Sequence, residues 1–290
     1  MLKYYVIVRI TIYINKEVEN MNSKGIYEQY DDTADLLKFL TSSSIRTSIL
    51  LSLNESSKNL TSLKQDLNLE SSTIIHSTNK LEKHNLIFKN GENYILSQTG
   101  KIFAIKLVNL IKTIDTIKSH EKLWLNHEID EIPEDLLLKI GDLNYSHLIE
   151  SVPKNIDHVH STFVQLLLNA KLIQGVTPIF HPDFPELLEH LVFNGVDIQL
   201  VITDEVLDVW IDALGHKILD KLLSQKNFSL WTIKDSKTAF TVTDSKISLG
   251  FFRTDGSYDY SHDLISDDKN AVQWGKDLFK CYFKMAKRFK

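Results

Sequence analysis

Cysteine is nearly absent from this chain, and so are the marks of flexible linkers and of several catalytic motifs. The single cysteine, Cys281, excludes a disulfide within the chain, and its apolar helical surroundings predict a buried thiol in a reducing compartment. Five prolines and ten glycines leave no low-complexity linker. No glycine-rich phosphate-binding motif and no G-x-S-x-G motif occurs, which argues against a nucleotide site and a serine hydrolase.

Long hydrophobic runs are missing as well. The apolar stretch at residues 4–14 is too short to span a bilayer, is interrupted by Arg9, and is followed by no small-residue cleavage site. Its alternation of polar and apolar residues predicts a strand. Met21 is an alternative start, which leaves open whether residues 1–20 are translated. We therefore treat residues 1–32 as an N-terminal extension and expect a cytoplasmic protein without a membrane partner.

Charge is unevenly distributed along the 290 residues, which are long enough for two domains. Residues 1–120 carry 15 Lys and Arg against 12 Asp and Glu, whereas residues 121–290 carry 18 against 26, for a net charge of −5. A mildly basic first half joined to an acidic second half predicts a DNA-binding domain coupled to a domain that does not bind DNA.

Residues 42–101 have the element order of a winged helix-turn-helix, a module that docks a helix into DNA. Ser71, Ser72 and Thr73 are candidate caps for the third helix, which we expect to end near Lys83. Two strands, 86–88 and 94–96, flank Asn90-Gly91, a dipeptide typical of a type I′ hairpin. The apolar sides of the three predicted helices are Ile45, Ile49, Leu50 and Leu53; Leu60, Leu63 and Leu67; and Ile74, Thr78 and Leu81. The sequence thus predicts a winged helix-turn-helix domain at residues 33–98.

The polar side of the third helix and the tip of the hairpin are the candidate interface with double-stranded DNA. Their residue types hydrogen-bond base edges or neutralise phosphates, although an ordinary solvated helix face has a similar composition. The candidate DNA-binding residues are Ser72, Thr73, His76, Asn79, Lys80, Lys83, Lys89 and Asn90.

A long helix is predicted from Gly100 to about His120. Its apolar residues are spaced by 4, 3, 4 and 3, as in a coiled-coil seam, which favours a homodimer; packing of this stripe on its own domain is the alternative. We assign residues 99–149 to this helix and a connector. The predicted dimer seam is Phe103, Leu107, Leu110, Ile114 and Ile117.

Strands and helices alternate beyond residue 150, which predicts an α/β domain at residues 150–290 with a largely parallel sheet covered on both faces. The predicted strands are 175–180, 197–202, 228–233, 239–242 and 246–252, and the predicted helices are 163–170, 186–193, 205–223 and 269–287. Ligands of open α/β sheets bind beyond the carboxyl ends of strands, although polar residues there also serve simply as turns. The candidate effector-binding residues are His181, Thr203, Arg253 and Tyr258.

The eleven histidines give little support for a metal site. His158 and His160 form the closest pair and would share a face of a strand. Because no third ligand at metal-site spacing lies near them in sequence, we expect no metal and no other cofactor.

These residues resemble a known family, the archaeal winged-helix transcriptional regulators whose sensor half is named after the methanogenesis regulatory proteins. Thr78 and Asn85 depart from the usual Leu and Gly of the winged-helix signature, and Asn85 still tolerates a left-handed backbone. The motifs that carry the resemblance are residues 72–74, 81–87, 94–97 and 99–100 in the first half, and residues 175–182, 195–203, 255–259 and 274–279 in the second.

The resemblance implies an α+β N-terminal winged helix-turn-helix followed by an α/β phospholipase D-like domain that acts as a sensor. Phosphodiesterases of that fold need His-x-Lys followed by Asp, whereas His216 here is adjacent to Lys217, so we expect no catalytic residues and no enzyme. The expected function is DNA-binding transcriptional regulation by a homodimer that responds to a small-molecule effector. A ligand-independent dimeric scaffold that recruits transcription machinery and a phosphodiesterase-like enzyme remain the alternatives.

Overall fold

The computed structural model describes residues 25–289. The strand predicted at residues 4–14 and the alternative start at Met21 lie outside the described residues. The chain divides into two compact units, the first ending at Val108 and the second beginning at Asn109. The first unit therefore extends past residue 98 into the long helix.

The first unit has the predicted element order of a winged helix-turn-helix, preceded by an additional helix. The three strands form an antiparallel sheet in the order β1-β3-β2. The elements are α1 (Ile26–Thr41), α2 (Ser44–Glu55), β1 (Lys58–Asn59), α3 (Leu60–Leu67), α4 (Ser71–Lys83), β2 (Ile87–Asn90), β3 (Asn93–Leu96) and α5 (Gln98–Ser119), the last of which continues into the second unit.

The apolar periodicity places the core of this unit correctly, because residues at helical spacing point to one side. Ile74, Thr78 and Leu81 of α4 are all buried, as predicted. The departure at Asn85 is also explained, since this residue has a φ of 56° and asparagine adopts the left-handed region more readily than most residues.

Two local predictions in this unit are wrong. Helix α4 begins at Ser71 with Glu70 as its N-cap, so the hydroxyls of Ser71, Ser72 and Thr73 lie inside the first turn and make no capping hydrogen bond. The hairpin turn consists of Gly91 and Glu92, because Asn90 pairs with Asn93. Only Gly91 of these residues has a positive φ, which fits a type II′ turn rather than type I′.

The second unit is built on an eight-stranded sheet with helices before, between and after the strands. A short 3₁₀ helix spans Ile140–Leu143. The other elements after α5 are α6 (Glu121–Asn126), α7 (Glu134–Leu137), β4 (His147–Glu150), α8 (His158–Leu168), β5 (Leu172–Thr177), α9 (Phe184–Phe193), β6 (Asp197–Thr203), α10 (Asp204–Leu214), α11 (His216–Leu223), β7 (Phe228–Ile233), β8 (Thr238–Thr243), β9 (Ile247–Phe251), β10 (His262–Ser266), α12 (Lys269–Met285) and β11 (Lys287–Arg288).

The sheet is mixed, so the prediction of a largely parallel sheet is wrong. The strand order is β11-β7-β6-β5-β8-β9-β10-β4, and only the pairs β5-β6 and β6-β7 are parallel. A parallel connection needs a crossover of a dozen or more residues, whereas only residues 244–246 separate β8 from β9. These neighbours must therefore run antiparallel.

Helices cover both faces of the sheet, as predicted, because successive strand residues point to opposite sides. Ile198 and Ile202 of β6 pack in the core formed with α8 to α11, whereas Val201 packs in the opposite core with α12 and its neighbours. The single helix predicted over residues 205–223 is two helices, because Gly215 has a φ of 73° and interrupts the turn. Cys281 is half-buried rather than buried.

None of the helices in residues 25–289 is both long and apolar enough to cross a membrane.

Candidate functional sites

The candidate DNA-binding side chains form one face of α4. At 100° per residue, the six helix positions fall within an arc of about 120°, opposite the buried side of the helix. The side chains of His76, Asn79, Lys80 and Lys83 are exposed, as is Ser72, and Thr73 is half-buried. The sequence therefore places these groups together on the solvent side of the unit.

The polar groups of this face are not committed to other partners within the described part of the chain. The side chains of His76, Asn79 and Lys80 take part in none of the hydrogen bonds or ion pairs of residues 25–289, whereas Lys64 on the preceding helix lies 3.7 Å from a carboxylate oxygen of Glu70. Free donors on a helix face can bond base edges or phosphates without losing an interaction within the protein.

The tip of the β2-β3 hairpin presents the two remaining candidates. Lys89 and Asn90 are exposed, and the ammonium group of Lys89 lies 5.7 Å from the centre of the Tyr94 ring. Tyr94 itself is buried, so the lysine lies against the core of the hairpin with its charge at the surface.

The predicted dimer seam on α5 divides into two parts. Phe103 and Leu107 pack in the core of the first unit, so for these two residues the alternative of packing on their own domain is correct. Leu110, Ile114 and Ile117 remain 48%, 47% and 46% exposed. Ile111, which is 43% exposed, extends the same apolar patch. We call these four residues the exposed α5 stripe.

A cavity of about 250 Å³ lies within the second unit. Helices α8 and α9 line one side of it, and the strands β5, β6, β8, β9 and β10 line the other. Most of the lining is apolar, as in small-molecule sites, and the volume is slightly below the usual range for such sites.

A buried ionisable group of the cavity wall is the carboxyl of Asp263 on β10, which is 5% exposed. Burial raises the pKa of Asp263 to about 7, although hydrogen bonds from Ser248 and from the backbone N–H groups of Leu249 and Leu264 favour its charged form. The Ser248 hydroxyl donates to the carboxylate over 2.5 Å. The protonated form of this carboxyl is therefore far more favoured than that of an exposed aspartate.

Three further polar groups that are buried or half-buried border the cavity without a hydrogen-bond partner among residues 25–289. They are the hydroxyls of Thr241 and Tyr258 and the indole N–H of Trp210, which is fully buried. Tyr258 reaches its place because residue 250 is glycine: a Cβ atom there would lie 2.2 Å from the Tyr258 hydroxyl oxygen. The cavity thus offers donors that a polar ligand could satisfy.

Of the four predicted effector residues, the structure brings His181 and Tyr258 to the cavity but not Thr203 or Arg253. Thr203 is buried at the end of β6, where its hydroxyl accepts a hydrogen bond from the backbone of Val206 and caps α10. Arg253 does follow the last predicted strand, but its guanidinium donates to Asp259 over 2.8 Å. The expectation that all four converge is therefore wrong for these two residues.

Asp259 is the centre of this second polar cluster, which the sequence did not indicate. Its carboxylate also accepts from the backbone and side chain of Ser261, and it lies 3.0 Å from His127 Nε2 and 2.8 Å from His262 Nδ1. Burial opposes ionisation, but the hydrogen bonds from Arg253, Ser261 and His127 hold the pKa of Asp259 well below its usual range.

A third cluster joins His160, His181 and Asp183. His158 and His160 lie in the first turn of α8 rather than on a strand, and His160 Nε2 is 3.1 Å from Asp183 Oδ2. His181 Nδ1 is 3.7 Å from the same oxygen. We expected no third metal ligand near His158 and His160, and this is wrong for His160. The segment at residues 181–183, which follows β5, folds back onto α8 and brings His181 and Asp183 next to it. In the sequence, Pro182 and Pro185 indicate that the chain turns at this segment.

The two units together define a class of protein, a winged helix-turn-helix unit joined in one chain to an α/β unit that contains a cavity. Residues 34–115 match the family model of the N-terminal domain of the methanogenesis regulatory protein FilR1. Residues 156–285 match the model of the middle domain of the same protein. The two matched regions thus follow the same order as the domains of that family.

A curated relative agrees with these matches. The methanogenesis regulatory protein FilR1 of Methanothrix harundinacea (strain 6Ac) is 28% identical over 255 residues, which cover 87% of this chain and 57% of the relative. The matched region is therefore little more than half of that relative.

Two solved structures have lower similarity. The archaeal chromatin protein TrmBL2, whose structure is described as showing a novel mode of DNA binding, is 14% identical, with a TM-score of 0.41 and coverage of 89% of this chain and 99% of that chain. An IclR-type transcriptional regulator from Alicyclobacillus acidocaldarius is 9% identical, with a TM-score of 0.22 and coverage of 81% and 94%. At these TM-scores neither structure defines the fold of this chain.

Proposed function

We propose that this chain is a cytoplasmic, archaeal DNA-binding transcriptional regulator and not an enzyme. The observation that carries the proposal is the α4 face, where exposed donors without partners stand opposite the buried side of a helix-turn-helix and next to a hairpin with Lys89 at its tip. The similarity of both matched regions to domains of a protein named as a regulator supports it.

Genome-wide selection of bound DNA fragments, followed by fluorescence anisotropy on the enriched sites, tests this proposal. Lys80→Ala is expected to weaken binding to all sequences and to reduce the slope of log affinity against log salt by about 1, because one phosphate contact is lost. His76→Ala is expected to cost about 1–3 kcal/mol at one base pair and to relax specificity there.

Lys38→Ala, an exposed change on α1 that removes the same charge from the same unit, is the matched control and is expected to leave the affinity nearly unchanged. If neither Lys80→Ala nor His76→Ala alters binding to the enriched sites, α4 is not the DNA-binding helix.

We also propose that the regulator is a homodimer paired through the exposed α5 stripe. A single winged helix-turn-helix contacts one half-site, whereas a two-fold dimer contacts two half-sites about one helical turn apart. Four apolar side chains that are each nearly half exposed on one helix favour such pairing, since their burial would stabilise the dimer.

The third part of the proposal is that the cavity of the second unit binds a small-molecule effector, with His181 and Tyr258 among its contacts. A mostly apolar lining with a few polar groups that lack partners supports it. A phospholipase D-like, non-catalytic sensor is the domain type that the sequence resemblance implies for this unit. An effector that binds one conformation better than another would change the affinity for DNA by that difference.

Thermal-shift screening with cell metabolites tests the effector. A stabilising compound is expected to lose most of its effect in Tyr258→Phe, which removes only the cavity hydroxyl, and to keep it in Tyr145→Phe, an exposed tyrosine that does not line this cavity. A screen without any stabilising compound would instead favour the ligand-independent dimeric scaffold.

A further inference from the structure

The cluster of His160, His181 and Asp183 combines three metal-ligating side chains from two separate segments. His160 comes from the first turn of α8, and the other two residues come from the segment between β5 and α9. One ligand atom from each of the three lies within 4.8 Å of the others.

Two of the three separations between these atoms are close to those of a zinc site. With Zn–N and Zn–O bonds of about 2.0–2.1 Å, the ligands of a tetrahedral ion lie about 3.3 Å apart. The two distances to Asp183 Oδ2, 3.1 Å from His160 and 3.7 Å from His181, bracket that value. At the carboxylate, shifts of a few tenths of an ångström would bring these two pairs of atoms to the separation that the ion needs.

One rearrangement of the imidazoles is needed. The rings of His160 and His181 are stacked, with centres 3.8 Å apart and planes 23° apart, so their in-plane lone pairs do not yet converge. His181 Nδ1 also accepts a hydrogen bond from the backbone N–H of Asp183 over 3.2 Å. The two side chains are 26% and 32% exposed and both border the cavity, so each ring has open space beside it into which it would turn to bind an ion.

The cluster is also open to solvent on the side of its carboxylate. The Asp183 carboxylate is 67% exposed, so an ion can reach it from solvent without opening the unit.

We propose that His160, His181 and Asp183 bind a divalent transition-metal ion, with Zn²⁺ the best match. Two imidazoles and one carboxylate form the three-ligand set of zinc sites that keep a coordination position open. Because both histidines line the cavity, a ligand in the cavity could occupy that position. The site stands independently of the proposed DNA-binding function.

Titration of chelator-treated full-length protein with Co²⁺ tests the site, because tetrahedral Co²⁺ with nitrogen and oxygen ligands absorbs in the visible range. We expect one Co²⁺ per chain with such a spectrum, and its displacement by Zn²⁺. His160→Ala and Asp183→Ala are each expected to weaken binding at least tenfold.

His158→Ala is the matched control, because this histidine begins the same helix but is not part of the cluster, and we expect it to leave binding unchanged. Circular dichroism of each variant checks that the unit remains folded. No Co²⁺ spectrum, or equal affinity in wild type, His160→Ala and Asp183→Ala, would overturn the proposal; equal affinity would assign the ion to other histidines.

Discussion

The loop between β9 and β10 contributes side chains to two separate parts of the second unit. Residues 252–261 supply Arg253 and Asp259 to a buried polar cluster and Tyr258 to the cavity. Arg253 neutralises Asp259, which is 2% exposed and carries a negative charge that would otherwise be costly to bury. The arginine is therefore a structural residue here.

Asp259→Asn is expected to destabilise the protein by about 1–3 kcal/mol at pH 7, because the amide cannot accept all the hydrogen bonds that Arg253 and Ser261 donate to the buried carboxylate. The lowered pKa of Asp259 means that its contribution is present above the unfolded-state pKa and is lost as pH falls through the folded-state value. The difference between wild type and variant should thus shrink below about pH 4. Urea unfolding across pH measures it.

Asp255→Asn is the control for this variant, since that carboxylate lies in the same loop, is exposed and bonds only Ser257 among side chains. A pH-independent loss of stability in Asp259→Asn would show that packing, and not the charge of Asp259, sets the effect.

Asp263→Asn is expected to change the pH dependence of stability in the opposite direction from Asp259→Asn, because the pKa of Asp263 is raised and not lowered. The pKa of Asp263 is raised to about 7, so the folded protein retains a proton between about pH 4 and pH 7 that the unfolded chain has lost. The free energy of unfolding of the wild type should therefore fall by up to about 4 kcal/mol as pH rises through this interval. Above pH 7 it should level off.

The asparagine variant has no carboxyl to ionise at this position. Its free energy of unfolding should therefore increase relative to that of wild type as pH rises, which denaturant unfolding from pH 4 to pH 9 measures. Asp267→Asn, just after β10, is the control and should follow wild type. A constant difference between Asp263→Asn and wild type at every pH would contradict the raised pKa.

The start of α11 bears on the expectation that the chain is not a phosphodiesterase. His216 and Lys217 are consecutive residues at the start of α11, so their side chains leave the helix about 100° apart. A nucleophile and a phosphate-binding lysine must face the same group, which this placement prevents. We expect purified protein not to hydrolyse bis(p-nitrophenyl) phosphate above the buffer rate; hydrolysis that is lost in His216→Ala would refute this.

Elements with a clear period could be predicted from the sequence, whereas short polar ones could not. The apolar stripes of α2 and α4 repeat at helical spacing, and β7 was placed at residues 228–233, as observed. The strand β10 was missed, because it contains the buried polar residues Asp263 and Ser266, which resemble a loop in sequence. Strand direction depends on partners far apart in the chain, which local patterns do not contain.

The candidate sites follow the same rule. The α4 face lies within thirteen consecutive residues, so periodicity alone could place it. The cavity and the histidine cluster join segments far apart in sequence, and only half of the predicted effector residues line the cavity. The proline-rich segment 180–185 indicated a turn, but nothing in it indicated that α8 would lie beside it.

At the scale of the whole molecule, the proposed assembly makes the sharpest prediction. Leu110→Glu places a charge in the exposed α5 stripe and is expected to give monomers, because pairing would bury an unpaired carboxylate. Operator affinity should fall with it, since two half-sites can no longer be bound at once. Light scattering and anisotropy measure the two effects.

Asn109→Glu adds the same charge to an exposed position on α5 outside the stripe, and we expect it to leave the oligomeric state unchanged. A Leu110→Glu protein that remains dimeric would place the interface on another surface.

The indole of Trp210 gives the protein a built-in optical signal. It is 2% exposed, it borders the cavity, and its N–H has no partner among the described residues. Tryptophan emission depends on the polarity and hydrogen bonding around the indole, so a compound that enters the cavity would change the fluorescence of this side chain directly. The chain has four tryptophans, and comparison with Trp210→Phe would isolate the change. Occupancy of the cavity could thus be followed in solution without any label.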